Sequence, residues 1–364
     1  MAFLFFLVYF IHYFVGQLIE IYKLKVLAVL AAVILLGLTF YFTLGLYYTA
    51  DYEFYDYMFR RELKTDLLYE FLTKVFKANY WEFHDLFVTH LILYVLLFYF
   101  VISRFTINVF YVFLTYILFD YVHFSNQIRY FLGFGFMLVA FYSLYNKRYI
   151  AFVLFAGLAL TSHIALVVLL SFIPVYYLIK PEKYFRYLVL SSVACFFIVY
   201  LSFSLGVGRE IEHFGEYFKE DGISSFLGGL YNSTVYIVLL TLIYFETRRY
   251  LRKNPDAFDD LTFNFLFKIV FYTVIFIPTS FFIQIAAHRY VMPFVIFYVI
   301  FYLYLIKNNS ARIKNLKMML FSSVCFLLSR VVYYVPYFLF PENHFMTEIE
   351  RMLKSVPYIN YELW

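Results

Sequence analysis

The chain has 364 residues, of which 64% are hydrophobic, 26% aromatic and 15% charged, with a formal net charge of +5. Soluble domains run at about 45–50% apolar and about 25% charged, so this composition is that of an integral membrane protein and excludes a large aqueous catalytic domain. Two cysteines exclude a disulfide framework and a multi-cysteine metal module, and Gly and Pro are too few for a disordered or collagen-like chain.

A spanning helix needs about 20 apolar residues. Continuous rather than alternating apolar runs predict helices instead of a β-barrel, and about twelve runs meet the length criterion. In chain order they cover 2–19, 26–48, 86–103, 105–124, 130–146, 149–162, 164–180, 185–205, 231–247, 262–283, 289–306 and 318–339. The first is not a cleavable signal, because no basic segment precedes it and no small-residue cleavage site follows it. Cys195 and Cys325 lie inside apolar runs and read as lipid-embedded fillers. The expected fold is all-α: a single polytopic membrane domain over 1–364, with about twelve transmembrane helices.

The connections between runs are sorted by charge. With the N-terminus outside, the inner connections hold Lys23, Lys25, Arg104, Lys147, Arg148, Lys180, Lys183, Arg186, Arg248, Arg249, Arg252, Lys253, Lys307, Arg312, Lys314 and Lys317. Lys268 stands near the inner end of its run, and only Glu20, Glu182, Glu246, Asp256, Asp259 and Asp260 accompany them as acids. This is the positive-inside pattern along the whole chain, and it places both termini outside. Three outer segments follow: 49–85, which ends in an amphipathic stretch from Leu67 to Phe76 suited to the membrane surface; an acidic loop at 206–230; and a charged, aromatic tail at 340–364.

Charge near the apolar interior is costly and reads as functional by default. Asn126-Gln127-Ile128-Arg129-Tyr130 sits at an outer turn, with Arg129 opening an apolar helix. Its planar fork and the free N–H groups of a helix start both suit phosphate oxygens, and the bland alternative is an Arg snorkelling to lipid headgroups. Gln284-Ile285-Ala286-Ala287-His288-Arg289-Tyr290 has the same character at a second outer turn, with Arg289 as a second phosphate-facing cation. His163, between two short runs, is a natural proton acceptor with no acid beside it in the sequence; the alternative is a ring bonded to a backbone carbonyl. Arg330, within the last run, is either a third anion ligand or a partner of Asp120. Asp120 and His123 share a helix face and read as an interhelical clamp. Asp51, Glu53 and Asp56 could hold a general base or bind a divalent cation, and the bland reading is a solvated acidic face. His84, Asp85, His90, Asp120 and His123 do not have spacing that demands a metal, so none is expected. Phosphate-loop, nucleophile-elbow and dinucleotide signatures are absent from the sequence.

Asp51-Tyr52-Glu53-Phe54-Tyr55-Asp56-Tyr57, Asn126-Gln127-Ile128-Arg129, Ser162-His163-Ile164-Ala165-Leu166 and Arg289-Tyr290 together resemble the bacterial polysaccharide polymerases of the Wzy group, in particular the EpsG-like branch. The order and spacing cover most of residues 40–300. The resemblance implies a membrane-embedded glycosyltransferase of the C type in the bacterial inner membrane. Such an enzyme polymerises undecaprenyl-pyrophosphate-linked repeat units on the periplasmic face, with inversion, for O-antigen, capsule or exopolysaccharide. It implies Arg129, Arg289, Arg330 and Gln127 as pyrophosphate ligands and His163 as the proton acceptor or else a further hold on the pyrophosphate, with Asp51 or Asp56 as rival base or acceptor contact. No cofactor is implied. The partners implied are the lipid-linked donor and acceptor, membrane lipid and a chain-length regulator, with no nucleic acid. The rivals are a lipid-linked oligosaccharide flippase, a glycan ligase and a membrane acyltransferase. A flippase needs polar residues through the membrane midplane, whereas here they gather at the outer ends of helices.

Overall fold

A computed structural model describes residues 2–47, 49, 51–205, 226–281, 283 and 289–339. The described residues contain no strand. Their helices, in chain order, are α1 Ala2–Tyr22, α2 Lys25–Leu44, α3 Tyr52–Arg61, α4 Leu67–Ala78, α5 Phe83–Ser103, α6 Val109–Asn126, α7 Ile128–Tyr145, α8 Tyr149–Ser162, α9 Phe172–Leu178, α10 Tyr184–Ser204, α11 Phe226–Lys253, α12 Leu261–Tyr272, α13 Ile277–Ser280, α14 Val295–Ile306 and α15 Ala311–Leu339. Among the described residues five segments are long and apolar enough to cross a membrane: Lys25–Leu44, Phe83–Ser103, Ile128–Tyr145, Pro181–Ser202 and Leu261–Ser280. Tyr149–Ser162, Ile164–Leu178 and Met292–Ile306 are shorter apolar helices. The chain is therefore an all-helical membrane protein.

Three apolar runs break within their length, two of them at a proline. The run at 164–180 is a 3-10 turn over Ile164–Ser171 followed by α9. The run at 262–283 passes from α12 through a 3-10 turn at Thr273–Phe276 into α13, where Pro278 stands in the first turn, the position that tolerates a missing N–H. The run at 289–306 likewise enters α14 through a 3-10 turn, Met292–Phe294, built on Pro293.

The helices form two compact units. The first comprises residues 1–168 and 318–364, and the second comprises 169–317. In the first unit α7 packs against α5 and α8. The α7–α8 hairpin turns through Asn146, Lys147 and Arg148, with Lys147 in the left-handed region at φ 58°. Close approach of α7 to α8 requires a glycine. A Cβ on Gly133 would stand 2.5 Å from Leu166 Cδ1, 3.0 Å from the Ala159 carbonyl and 3.1 Å from Ser162 Cβ. Three polar pairs link helices inside the unit: Tyr94 and Tyr116 share a hydroxyl contact of 2.6 Å, His12 Nε2 meets Thr115 Oγ1 at 2.8 Å, and Tyr111 meets Ser322 at 2.8 Å. α2 shows the opposite face, with Val26, Val29, Val33, Ile34 and Leu38 exposed, the arrangement of a helix whose outer side meets lipid.

The second unit is organised around α12, most of which is buried. Its one cation, Lys268, donates to the Tyr176 carbonyl at 2.6 Å, and the Tyr184 hydroxyl donates to the Lys268 carbonyl at 2.5 Å. Thr273 and Tyr298 share a hydroxyl contact of 2.5 Å, and Ser233 and Ser280 one of 2.6 Å. Asp260 caps α12, accepting from the N–H groups of Thr262 and Phe263, and also accepts the Tyr304 hydroxyl. Glu246 is buried between Lys317 and Arg249.

The α7–α8 contact yields the first prediction. Gly133→Val overpacks an interface that already lacks room for one methyl, at a cost of about 1–3 kcal/mol. A lower thermal unfolding midpoint of the detergent-solubilised protein is the expected result, and an unchanged midpoint would contradict the packing described.

Candidate active site

Helix order sets which ends meet. In the first unit the basic turns at Lys23, Arg104 and Lys147–Arg148 lie at one end of the helices. The turns at 45–51, 127 and 163 lie at the other. At that second end the Asn126-Gln127-Ile128-Arg129 segment joins the acidic segment that begins at Asp51: Asn126 Oδ1 accepts the Asp51 N–H at 2.7 Å. Gln127 is the residue before α7 and makes no side-chain cap there. Arg129 follows within the first turn of α7, and Ser162 Oγ, at the end of α8, donates to the Arg129 carbonyl at 2.9 Å. The start of α7 is thus tied to the residue beside His163.

The two sequence candidates of this unit, Arg129 and His163, converge on a third residue, Asp66. Arg129 Nη1 donates to Asp66 Oδ2 at 2.8 Å. His163 Nδ1 lies 3.6 Å from the other oxygen, Oδ1, beyond the range of a formed hydrogen bond. The Ile164 N–H, at the start of the 3-10 turn, adds to the field that favours the ionised form of the same carboxylate. All three side chains are largely enclosed, with 11% of Asp66, 19% of Arg129 and 18% of His163 exposed. The Arg129 guanidinium sits over two aromatic faces, 5.3 Å from the Tyr55 ring centre and 5.7 Å from that of Tyr69, and the Tyr69 hydroxyl donates to the Tyr55 carbonyl at 3.0 Å. On the other side the Tyr130 ring meets His163 edge-on at 5.5 Å. Aromatic faces lower the cost of enclosing a guanidinium and fix its plane.

Asp66 immediately precedes α4, where an aspartate ordinarily caps the first N–H groups. Its side chain makes no such cap. Glu70 instead reaches back to accept the Thr65 N–H at 2.6 Å. The Asp66 carboxylate is therefore turned away from its own helix and toward Arg129 and His163. Burial pushes that carboxyl up, but the His163 ring, the Arg129 charge and the Ile164 N–H together outweigh it and hold Asp66 below the usual carboxylate range. The group is an anion at neutral pH. Burial also pushes the Tyr69 phenol up, so Tyr69 stays a neutral donor.

The acids singled out in the sequence take other positions. Asp56 pairs with Arg60 on the exposed side of α3, at 2.9 Å. Asp51 precedes α3 without capping it by its side chain, and its backbone is what Asn126 holds. His84 stacks on Tyr47 at 3.9 Å, with its Nε2 3.0 Å from the Leu44 carbonyl, and Asp85 forms a reciprocal cap with Glu82 at the start of α5. His90 is buried, with Nδ1 2.8 Å from the Leu86 carbonyl and its ring against Tyr69. Arg289 belongs to the second unit, where it is partly buried. Gln284 to His288, the loop at 206–225 and the tail at 340–364 lie outside the described residues, as do the side chains of Asp120, His123 and Arg330.

Fold and site together define an all-helical membrane protein with an enclosed Arg–carboxylate–His cluster at one end of its first unit. The chain belongs to the EpsG family, whose pattern it matches over residues 30–344. That family has a polysaccharide polymerase-type function and is associated with glycosyltransferase-like activity, so this is a membrane protein of polysaccharide biosynthesis. Among curated proteins and solved structures none matches the chain.

The Asp66 contacts carry a pH prediction. A carboxyl held below its unfolded value contributes stability that is fully present above the unfolded pKa of about 3.9, and that is lost as pH falls through the folded value. The unfolding midpoint in detergent is expected to hold between pH 7 and 5 and to fall below about pH 4. Asp66→Asn should start about 2–3 kcal/mol less stable, having lost charge-assisted bonds, and should show a smaller acid-dependent drop. Equal acid sensitivity in both proteins would show that Asp66 is not so paired.

Proposed function

We propose that the protein is a Wzy-type polysaccharide polymerase of the membrane-embedded C class, which joins pyrophosphate-linked oligosaccharide repeat units carried on a polyprenol such as undecaprenol, at the outer face of the bacterial inner membrane. The observation that carries this reading is the convergence of Arg129 and His163 in one enclosed cluster, in a chain of the EpsG family.

The chemistry follows from the leaving group. A hydroxyl of the acceptor sugar attacks the anomeric carbon of the donor glycan from the face opposite the phosphate. The new C–O bond forms as the bond to the pyrophosphate oxygen breaks, giving inversion and a free lipid pyrophosphate. Negative charge grows on that oxygen, and fixed cations aimed at it lower the barrier. Arg129 supplies a planar fork whose orientation is set by Tyr55 and Tyr69. Arg289 and Arg330, with Gln127, are the further ligands proposed for the pyrophosphate. His163, as neutral imidazole, takes the proton of the attacking hydroxyl. Asp51 and Asp56 are the rival base or acceptor contacts; Asp56 pairs with Arg60, and the Asp51 N–H is held by Asn126.

The test is the glycan ladder of a host that depends on this chain. Alanine at Arg129, His163 or Arg289 is expected to lower turnover about 10²–10³-fold, the loss typical of removing one such stabilising group, and to collapse the ladder to one or a few repeat units. Arg129→Lys should rescue little, because a point charge does not reproduce the planar fork. Wild-type chain lengths in all three alanine variants would end the reading. Because the charge on the leaving group is met by side chains, activity of the lipid-reconstituted protein is expected to survive chelation of divalent cations. Strict dependence on such a cation would move the acidic outer segment to the centre of the site.

A further inference from the structure

At the basic end of the first unit, away from the Arg129 cluster, α2, α5 and the turn before α6 border an open-sided groove of about 560 Å³. Small-molecule sites span about 300–1,000 Å³. Ala28 and Ala32, one turn apart on α2, are too small to fill the space, and Leu96 and Phe100 of α5 stand across from them. Leu96 and Phe100 are both exposed, as are Val29 and Val33 beside the alanines. The mouth is polar, with Lys25 opening α2, Ser103 ending α5 and Thr106 just beyond it. The Arg104 guanidinium lies 4.8 Å over the Phe100 ring.

We propose that this groove binds one anionic phospholipid from the leaflet at the basic end. One acyl chain lies along Ala28 and Ala32, and Lys25, Arg104 and the Thr106 hydroxyl hold the headgroup phosphate. The site is remote from the Arg129–His163 cluster and does not rest on the polymerase reading.

Charge selects the headgroup. The turns at this end, 20–25, 104–108 and 146–148, carry a single acid, Glu20, and it already pairs with Lys23 at 2.5 Å. Among the described residues Lys25 and Arg104 have no ion-pair partner. Both are exposed at the mouth, and Phe100 fixes the plane of the Arg104 fork, a donor set suited to phosphate oxygens. Thr106 Oγ1 accepts the Asn108 N–H at 3.0 Å, which leaves the hydroxyl proton to be donated outward.

Depth selects the chain. The lining on α2 runs from Lys25 to Leu36, a rise of about 16 Å at about 1.5 Å per residue. That is about half of a hydrocarbon core about 30 Å thick, the depth of one leaflet. A phospholipid acyl chain anchored at the mouth spans it, whereas a polyprenol chain is longer than the groove. The side is open to the exposed face of α2 at Val29 and Val33, so a lipid enters by lateral movement within its own leaflet. Once seated it adds contacts between α2 and α5, where Tyr99 already reaches across with its hydroxyl 3.5 Å from the Ala32 carbonyl.

The experiment is native mass spectrometry of the full chain in detergent, delipidated and then titrated with dioleoyl phosphatidylglycerol or dioleoyl phosphatidylcholine. Wild type is expected to retain one phosphatidylglycerol that the double variant Lys25→Gln with Arg104→Gln does not, and to bind phosphatidylcholine no better than that variant does. Affinity for the tightest phosphatidylglycerol should fall about 30-fold in the double variant, since each basic group near an anionic lipid contributes about a fivefold factor. Lys25→Arg with Arg104→Lys should retain the lipid. Ala32→Phe fills the groove with the charges intact and should also lose it. Equal retention of the two lipids by wild type would overturn the site, as would an unchanged count or affinity in the double variant. Retention by a folded Ala32→Phe would reduce it to a headgroup contact and overturn the groove. A polyprenyl diphosphate carried from the membrane, and lost on the same substitutions in place of phospholipid, would overturn the choice of occupant. Should Ala32→Phe not fold, the double variant, changed only at exposed positions, decides.

Discussion

A guanidinium at the start of an apolar helix cannot be left without a counter-charge, and the arrangement at this end of the first unit answers that constraint. Desolvating a charge costs several kcal/mol, and removing one partner of an enclosed pair is far more damaging than never having had the pair. Arg129 is met by the Asp66 carboxylate below its fork and by Tyr55 and Tyr69 at its faces. Asp66 can serve only if the segment carrying it is fixed, and that is the work of α3 and α4, of the Tyr69–Tyr55 bond and of Asn126 holding the Asp51 backbone. His163 enters the same cluster because Gly133 lets α8 approach α7, and because Ser162 bonds the backbone of Arg129. The packing of the helices and the placement of the charges are therefore one problem with a shared solution.

The aromatic excess serves that packing. Tyr94, Phe98, Phe113, Tyr116, Phe124 and Phe131 form one run of edge-on and tilted rings between α5, α6 and α7. Such rings bury large areas in defined geometry. Where a tyrosine replaces phenylalanine inside the bundle its hydroxyl finds a partner, as Tyr94 does with Tyr116 and Tyr298 with Thr273. A hydroxyl is a costly group to enclose alone, and in lipid no water stands ready to bond it. Most of the 40 tyrosines are thus compatible with a membrane interior and need no substrate to explain them. Tyr55 and Tyr69 also hold a cation, Arg129, at their faces, as Tyr176 and Tyr184 hold Lys268.

Long apolar runs and sorted charges made the helical membrane class legible, because length and hydropathy act over windows of many residues. Breaks inside runs were less so. Pro278 and Pro293 announce two of them, but nothing around Ile164 separates a 3-10 turn from a continuing α-helix. In the site, Arg129 and His163 stood out as charge or potential charge in apolar surroundings, whereas Asp66 did not. It lies among Asp51, Glu53, Asp56 and Glu62, and by position it reads as an ordinary cap for the amphipathic run that follows. His163 was read as lacking an acidic neighbour, and along the sequence it does. The fold supplies one from a distant loop, and no periodicity encodes such a pairing. Glu70 offers no clue either, since it accepts the Thr65 N–H just ahead of the aspartate, a bond that an Asp66 side-chain cap would not make.

The pairing also bears on which group accepts a proton. A carboxylate held below its usual range by an arginine and a backbone N–H is a weak base, so Asp66, although closest to the cation, is a poor acceptor for a sugar hydroxyl. An imidazole is matched to neutral pH, and its basicity rises when a carboxylate supports its far nitrogen. The same negative charge that weakens the aspartate as a base makes it a good support for the histidine. On the proposed reading the cation is suited to the leaving group and the imidazole to the attacking hydroxyl, and the two oxygens of the carboxylate face both.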